Sequence, residues 1–224
     1  MTLKLFKFFM FVLAVRSQNN IMQPLLFQND KNLWKPDLRD GELFYWPNFF
    51  DHEKATSYYQ TLLETIAWQQ DPVKVFGKIH LQPRLTALYS TTKKTYSYSN
   101  LTLKPHPMTP ILEEILEEIT AQYPHCFNTV LLNQYRDGKD SNGWHADNEK
   151  ELGKHPVIAS ISLGEARFFH LKHRTDAAQR LKLKLEHGSL LVMAGAMQEF
   201  WLHQIPKTAQ PIGPRINLTF RKLI

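Results

Sequence analysis

The chain has 224 residues, of which 43% are hydrophobic and 21% are charged. This composition is typical of a folded globular protein and excludes a disordered one. The single cysteine, Cys126, excludes an intramolecular disulfide and a thiolate zinc cage, and it fits a reducing compartment. The net charge of +6 suits a polyanionic partner but does not require one.

The N-terminal segment resembles a short signal peptide, because basic residues precede an apolar run at 8–15. That run is too short to span a bilayer, and Arg16 interrupts a small-residue cleavage site. We interpret residues 1–21 as an overlong gene start or an extension without function, with Met22 as a plausible alternative start and export as the competing interpretation. The expected location is intracellular, without membrane attachment. Residues 22–41 are polar with isolated hydrophobes and are expected to form an arm on the following domain.

Local patterns predict two helices separated by short strands. Residues 43–46 are predicted to form a strand, and Asp51 is expected to cap the first helix. Thr109 as cap and Pro110 at the first helical position predict the second helix. Alternation predicts the strands between the helices, at 73–78, 85–89 and 94–98.

After Pro124 the pattern changes to strands separated by turn residues. They are predicted at 130–135, 157–163, 167–171, 181–186, 190–193 and 216–223. Two helices followed by many antiparallel strands favour an α+β fold. Its core would be a double-stranded β-helix, or jelly roll, with the N-terminal helices packed on one sheet. The sequence has no internal repeat or linker, so residues 42–224 are predicted to form a single domain.

A possible metal site begins with His145 and Asp147, which are separated by one residue. In an extended segment these side chains share a face and can reach one ion, and His203 is the candidate third ligand. Two histidines and a carboxylate leave coordination positions open, as in non-haem Fe(II) oxygenases. Two alternatives to a metal site remain. In one, His145 and Asp147 are neighbours in a loop without a metal; in the other, His203 is a histidine of the hydrophobic core. The other histidines between these motifs are interpreted as structural (His187) or as surface residues (His170 and His173).

The last strand alternates strictly between residues 215 and 221. Its polar face carries Arg215, Asn217, Thr219 and Arg221. Two buried guanidiniums would require an anionic ligand, and arginine binds carboxylates through paired hydrogen bonds. The arginines are roughly 20 Å apart on an ideal strand. Both can hold one small ligand only if the strand bends or one side chain reaches back; otherwise one binds the ligand and the other orders the site. A solvated outer face is the remaining alternative.

In combination, these motifs resemble the AlkB-type Fe(II)/2-oxoglutarate dioxygenases. The resemblance depends on His145-x-Asp147, His203 and Arg215-x-Asn217-x-x-x-Arg221. Other stretches agree with it: Asn133-x-Tyr135, Ile161-Ser162-Leu163-Gly164 and His187-Gly188-Ser189-Leu190-Leu191. It extends from about residue 42 to the C terminus. The double-strand DNA repair subgroup is most similar, through Val75-Phe76-Gly77-Lys78 and residues 215–223.

The resemblance implies that His145, Asp147 and His203 hold Fe(II), with 2-oxoglutarate and O2 as cosubstrates. Arg215 would bind the distal carboxylate of 2-oxoglutarate. The same site would be completed by Asn133, Tyr135, Asn217, Thr219 and Arg221. The implied reaction is oxidative demethylation of 1-methyladenine and 3-methylcytosine, which releases formaldehyde, succinate and carbon dioxide. The implied partner is alkylated DNA, double-stranded in this subgroup, and the protein is expected to be a monomer.

The resemblance also implies how the base is recognised, since a base must leave the stack to reach the iron. Hairpins at about 70–100 would recognise the nucleotide. The residues assigned to it are Tyr96 and Tyr98 (sandwiching the base), Phe76 and Gly77 (a finger inserted into the duplex), Lys78 and Arg84 (phosphate or the flipped nucleotide), and Asn148 and Glu149. Glu149 would offer a negative charge to a cationic base. Asn148 occupies a position where the family often has an acid. Packing roles for the tyrosines and for Phe76 remain alternatives.

Two other functions remain open from the sequence. One is the same oxygenase chemistry on RNA or on a substrate that is not a nucleic acid. The other is a catalytically idle nucleic-acid-binding module on the same fold, which the intact metal and arginine sets argue against. Turnover that methylated DNA stimulates in the presence of Fe(II) would distinguish these functions from DNA demethylation.

Overall fold

The structure is a computed structural model that describes residues 32–75, 78–98 and 101–224. Trp34–Ile224 form one compact unit; a second unit comprises Met1–Leu33, of which only Asn32 and Leu33 are described. The helices are α1 (His52–Thr65), α2 (Pro110–Gln122) and α3 (Met197–Phe200). The strands are β1 (Glu42–Trp46), β2 (Pro72–Val75), β3 (Lys78–Leu81), β4 (Leu85–Ser90), β5 (Tyr96–Tyr98), β6 (Leu101–Leu103), β7 (His106–Pro107), β8 (Thr129–Tyr135), β9 (Asn142–His145), β10 (Ile158–Gly164), β11 (Arg167–His173), β12 (Arg180–Leu185), β13 (Ser189–Ala194), β14 (Trp201–Ile205) and β15 (Arg215–Arg221).

Two sheets form the body of the fold. The larger has seven strands in the order β1-β13-β10-β15-β8-β4-β7, and the smaller has four in the order β12-β11-β14-β9. All neighbours in them are antiparallel except β4 and β7. The pairs β2-β3 and β5-β6 form separate two-stranded sheets. The predicted α+β class with a jelly-roll core is confirmed.

A buried apolar cluster combines residues from both sheets, including Leu191 and Met193 of β13 with Phe169 and Leu171 of β11. These side chains alternate along their strands with residues that point the other way, as expected where one face of each sheet is buried. The interior between the two sheets, where a ligand can bind, is therefore lined by residues of both sheets.

The two long helices begin where the sequence predicted. Asp51 caps α1 by accepting a hydrogen bond of 2.8 Å from the backbone N–H of Lys54. Thr109 occupies the cap position of α2, but its side chain makes no cap hydrogen bond there. The helices are linked to each other, because the Tyr58 hydroxyl donates to Glu114 at 2.6 Å. No helix among the described residues combines the length and the apolar character needed to cross a bilayer.

Gly164 ends β10 at a position that only glycine fits well. Its φ is +85°, and a Cβ there would lie 2.6 Å from the carbonyl oxygen of Pro214 and 2.8 Å from the Tyr59 ring. The left-handed backbone strains other residues. This close approach brings Pro214, and therefore the start of β15 at Arg215, directly against the end of β10.

Candidate active site

His145 and His203 meet because β9 and β14 are antiparallel neighbours in which the two residues are directly opposite each other. Their ring centroids are 4.2 Å apart. One ligand atom from each histidine and one from Asp147 all lie within 4.8 Å of one another. The structure therefore brings the three predicted ligands together. The sequence did not predict β14 as a strand.

Both histidines have the protonation state that a metal ligand requires. The Nδ1–H of His145 donates to the Gly143 carbonyl at 2.7 Å, while its Nε2 accepts from the Asn142 amide at 3.1 Å. Burial lowers the pKa of His145, and burial with the neighbouring His145 lowers the pKa of His203 to about 3. At neutral pH both rings are uncharged, so each has a nitrogen lone pair that can bind a metal ion.

Asp147 is buried and ionised. Burial alone would raise its pKa, but the Arg221 guanidinium and the two imidazoles lower it to about 2. Nη2 of Arg221 donates to Oδ1 of Asp147 at 2.9 Å. The backbone N–H of Asp147 donates to Oε1 of Gln198, also at 2.9 Å. Of the two roles predicted for the paired arginines, Arg221 therefore has the ordering role, since it positions the metal-binding carboxylate.

Replacing Arg221 by methionine is expected to destabilise the protein without metal by about 3 kcal/mol, because a buried carboxylate loses its partner. The unfolding midpoint should fall by about 6–12 °C. The folded pKa of Asp147, about 2, is below its ordinary value of 3.8. The pair therefore stabilises the fold above pH 3.8 and loses this contribution as pH falls towards 2. Thermal unfolding at pH 7 and pH 3 measures the effect, which should shrink at the lower pH.

Arg39→Met is the matched control. Arg39 pairs with Asp40 at 3.2 Å, but 62% of its side chain is exposed. Exposed pairs contribute about 0–1 kcal/mol, so the midpoint should change little. Equal effects of the two substitutions would contradict the ordering role of Arg221.

Arg215 is a buried cation with unused hydrogen-bond donors. Its Nη2 donates to Ser162 Oγ at 2.8 Å, while its Nε and Nη1 are buried and have no hydrogen-bond partner among the described residues. Burial lowers the pKa of Arg215 to about 10, so the group is still charged at neutral pH. A buried guanidinium in this state requires an anionic ligand, and a carboxylate matches its geometry. The predicted binding of 2-oxoglutarate fits this position.

One cavity of about 140 Å³ contains both the His–Asp–His cluster and Arg215. The other predicted cosubstrate residues also line it: Asn133, Tyr135, Asn217, Thr219 and Arg221. Asn217 donates to Ser160 Oγ at 2.8 Å and accepts from the Thr219 hydroxyl at 3.0 Å, so this wall is cross-linked. All seven residues of β15 are buried, which excludes the solvated face considered as an alternative.

The residues predicted to contact the damaged base are distributed differently. Arg84 is buried in the cavity wall, where its Nε donates to Asn133 Oδ1 at 2.7 Å. Glu149 also lines the cavity, whereas Asn148 and Lys78 are exposed. Phe76 and Gly77 lie outside the described residues, as do the side chains of Tyr96 and Tyr98.

The site contains polar residues that were not predicted from the sequence. Ser160 and Ser162 of β10 bond to Asn217 and Arg215. Their signal was present, because Ser160 and Ser162 alternate with apolar residues in the predicted strand, just as the polar residues of β15 alternate with apolar ones. Gln198 had no comparable signal: it reaches Asp147 from the short helix α3, and only tertiary structure brings the two together.

The sequence of residues 42–221 matches the family model of the 2OG-Fe(II) oxygenase superfamily. The chain is 39% identical over 184 residues to the alpha-ketoglutarate-dependent dioxygenase alkB homolog 3 of Bos taurus, a match that covers 78% of this chain and 64% of that protein. It is 40% identical over 159 residues to the DNA oxidative demethylase ALKBH2 of Homo sapiens, covering 68% of this chain and 61% of that protein. The chain thus spans less than two thirds of either relative's length. Among solved structures, OsALKBH1 is similar, with a TM-score of 0.57, 16% identity, and coverage of 84% of this chain and 100% of that one.

Proposed function

Because the chain belongs to the 2OG-Fe(II) oxygenase superfamily, we propose that it is a DNA demethylase dependent on Fe(II) and 2-oxoglutarate. The proposed substrates are 1-methyladenine and 3-methylcytosine in DNA, and the products are the unmodified base, formaldehyde, succinate and carbon dioxide. The curated relatives named as a dioxygenase and as a DNA oxidative demethylase support this activity. Double-stranded DNA is the proposed form of the substrate, because residues 75–78 resemble the double-strand DNA repair subgroup.

The observation that carries the proposal is that one cavity contains both a possible metal site and a binding position for an anion. One half of the cavity has the His–Asp–His cluster, whose ligand atoms lie within 4.8 Å of one another. The other has Arg215, a buried cation with two nitrogens that lack partners among the described residues. A metal ion and a dicarboxylate are the two ligands that these halves require.

When bound, Fe(II) and 2-oxoglutarate supply, with O2, the oxidising chemistry that converts an N-methyl group to an N-hydroxymethyl group, which leaves as formaldehyde. The protein's own residues set up this chemistry. His145 and His203 offer neutral nitrogens, and Asp147 offers a carboxylate oriented by Arg221. The apolar wall reduces access of water to the reacting groups. It is formed by Leu131, Phe169, Leu185, Met193 and Ile205.

Glu149 supports a preference for cationic lesions. It lines the cavity near the metal-binding residues, where its negative charge attracts a base that carries a positive charge. Demethylation removes that charge from the base. The attraction then disappears, so the repaired base leaves the site more readily than the damaged base does.

The proposed activity is tested by mass spectrometry on oligonucleotides with one 1-methyladenine or 3-methylcytosine, in single- and double-stranded form. With Fe(II) and 2-oxoglutarate, we expect a loss of 14 Da per methyl group, with succinate produced in equal amounts. Omitting 2-oxoglutarate should prevent both changes. Methylated RNA of the same sequence is the comparison substrate. Demethylation of RNA alone, or no turnover on any oligonucleotide, would refute the proposal.

Phe76→Ala tests the double-stranded substrate separately. An apolar wedge offsets the unstacking of a duplex base, which costs a few kcal/mol. We therefore expect kcat/KM to fall about 10- to 100-fold on duplex DNA and to change little on single strands. Steady-state kinetics on the two forms of one sequence measure this ratio. An equal loss on both forms would contradict the wedge role of Phe76.

A further inference from the structure

One surface of the four-stranded sheet points away from the cavity and does not line it; this surface is called here the outer face. On β11, Phe169 and Leu171 are buried, so the residues between and beside them point outward. The register places Phe168 opposite Lys184, His170 opposite Lys182, and Lys172 opposite Arg180. The outer face therefore consists of Trp144, Phe168, His170, Lys172, Arg180, Lys182, Lys184, Leu202 and Gln204.

The outer face is strongly basic. It carries four cations, and none of its outward positions in these four fully described strands is an aspartate or glutamate. Along β12, Arg180, Lys182 and Lys184 recur every second residue, about 7 Å apart. Like charges at this spacing repel one another and lower the stability of the folded chain. The same spacing allows them to pair with a regularly repeating anion, such as the phosphates of a polynucleotide backbone.

Two large aromatic side chains lie among these cations. Trp144 is 40% exposed and Phe168 is 44% exposed. Lys172 Nζ lies 4.3 Å from the centre of the Trp144 ring, and Lys182 Nζ lies 3.9 Å from that of Phe168. Exposed aromatics beside flexible cations are the combination with which proteins bind single-stranded nucleic acid, through base stacking and phosphate pairing.

The outer face adjoins the cavity of the proposed active site at strand β9. β9 is an edge strand of the sheet, and its residues His145 and Asn142 line the cavity together with the adjacent Ala146. Trp144, between these residues, is directed to the outer face and is accessible. A DNA strand that has one base in the cavity and continues over the edge at β9 would meet Trp144 first.

We propose that the outer face binds the unpaired nucleotides beside the lesion when the lesion lies in single-stranded DNA, the other form of substrate in the proposed assay. Bases stack on Trp144 and Phe168. Lys172 and Lys182 move on their flexible stems from the rings to the phosphates, and Arg180 and Lys184 extend the phosphate track. This inference rests on the proposed function for its choice of DNA.

The test is fluorescence anisotropy of the full chain with a labelled, unmodified single strand of twelve thymidines, without metal or 2-oxoglutarate. Trp144→Ala and Phe168→Ala are each expected to weaken binding about fivefold or more, with multiplied effects in the double variant. Lys182→Ala and Lys184→Ala should each reduce the slope of log affinity against log salt by about 0.7. A blunt duplex of the same length should bind without dependence on either aromatic residue.

Trp34→Ala is the matched control, because Trp34 is 39% exposed and pairs with Tyr45 of β1 in the other sheet. It should leave affinity for the single strand unchanged. Wild-type affinity in the double aromatic variant, or losses confined to the lysine variants, would overturn the proposal. Binding that depends on the aromatics without demethylation would refute only the proposed function. Demethylation without such binding would refute only this inference.

Discussion

Replacing His145 by alanine is expected to abolish succinate formation from 2-oxoglutarate. His145 is one of the three grouped candidate ligands. Changing residues that merely orient metal ligands already lowers affinity by about 10- to 100-fold, so loss of a ligand should weaken metal binding at least about 100-fold. Calorimetric titration with Mn(II) measures affinity, and mass spectrometry measures succinate. Both signals should disappear at metal concentrations that saturate the unaltered chain.

His187→Ala separates loss of a ligand from general damage. His187 is also a partly buried histidine, but its Nδ1 accepts from the backbone N–H of Gly164 at 2.8 Å, and it does not line the cavity. This change should lower the unfolding midpoint and retain Mn(II) binding. If His145→Ala bound Mn(II) as tightly as the unaltered chain does, the His–Asp–His site would be wrong.

The metal site could be predicted from the sequence only in part. The spacing of His145 and Asp147 follows from the two-residue period of an extended chain. The third ligand depends on the register between β9 and β14, which pairs residues distant in sequence. Neither strand has strong alternation of polar and apolar residues, so no local pattern sets that register. The choice of His203 relied on resemblance to a family.

The roles of the two arginines needed the fold as well. Alternation assigned Arg215 and Arg221 to one face, and the structure buries both. Only tertiary contacts distinguish them, because Arg221 bonds Asp147 whereas Arg215 bonds Ser162 and retains free donors. Local alternation can assign a residue to one face of a strand, but it cannot identify the residue's hydrogen-bond partner.

His173 shows how a short error in strand length misassigns a residue. The sequence predicted that β11 ends at Leu171 and that His173 lies on the surface. The strand continues to His173, and the alternation that buries Phe169 and Leu171 also buries His173. Its Nε2 lies 3.3 Å from an Asp40 oxygen. The surface assignment was therefore wrong. The two-residue alternation that buries Phe169 and Leu171 would have predicted a buried His173 if the strand had been extended by two residues.

Replacing Arg215 by lysine is expected to raise the KM for 2-oxoglutarate about 100-fold. Lysine keeps the positive charge but loses the two partnerless donors, Nε and Nη1, that match a carboxylate. Truncating one side of a buried charge pair costs about 2–5 kcal/mol, and the retained charge favours the lower part of that range. A cost of about 2.7 kcal/mol corresponds to about 100-fold. Succinate formation as a function of 2-oxoglutarate concentration measures this change.

Arg167→Lys is the control for altering a buried arginine. Arg167 donates to the carbonyls of Asp140 at 2.9 Å and Pro206 at 2.7 Å, and it does not line the cavity. We expect lower stability and a KM for 2-oxoglutarate close to that of the unaltered chain. Direct calorimetric binding of 2-oxoglutarate, with Mn(II) present, distinguishes weaker cosubstrate binding from slower turnover. A normal KM in Arg215→Lys would mean that the carboxylate binds elsewhere in the cavity, because the donors on which the assignment depends would then be dispensable.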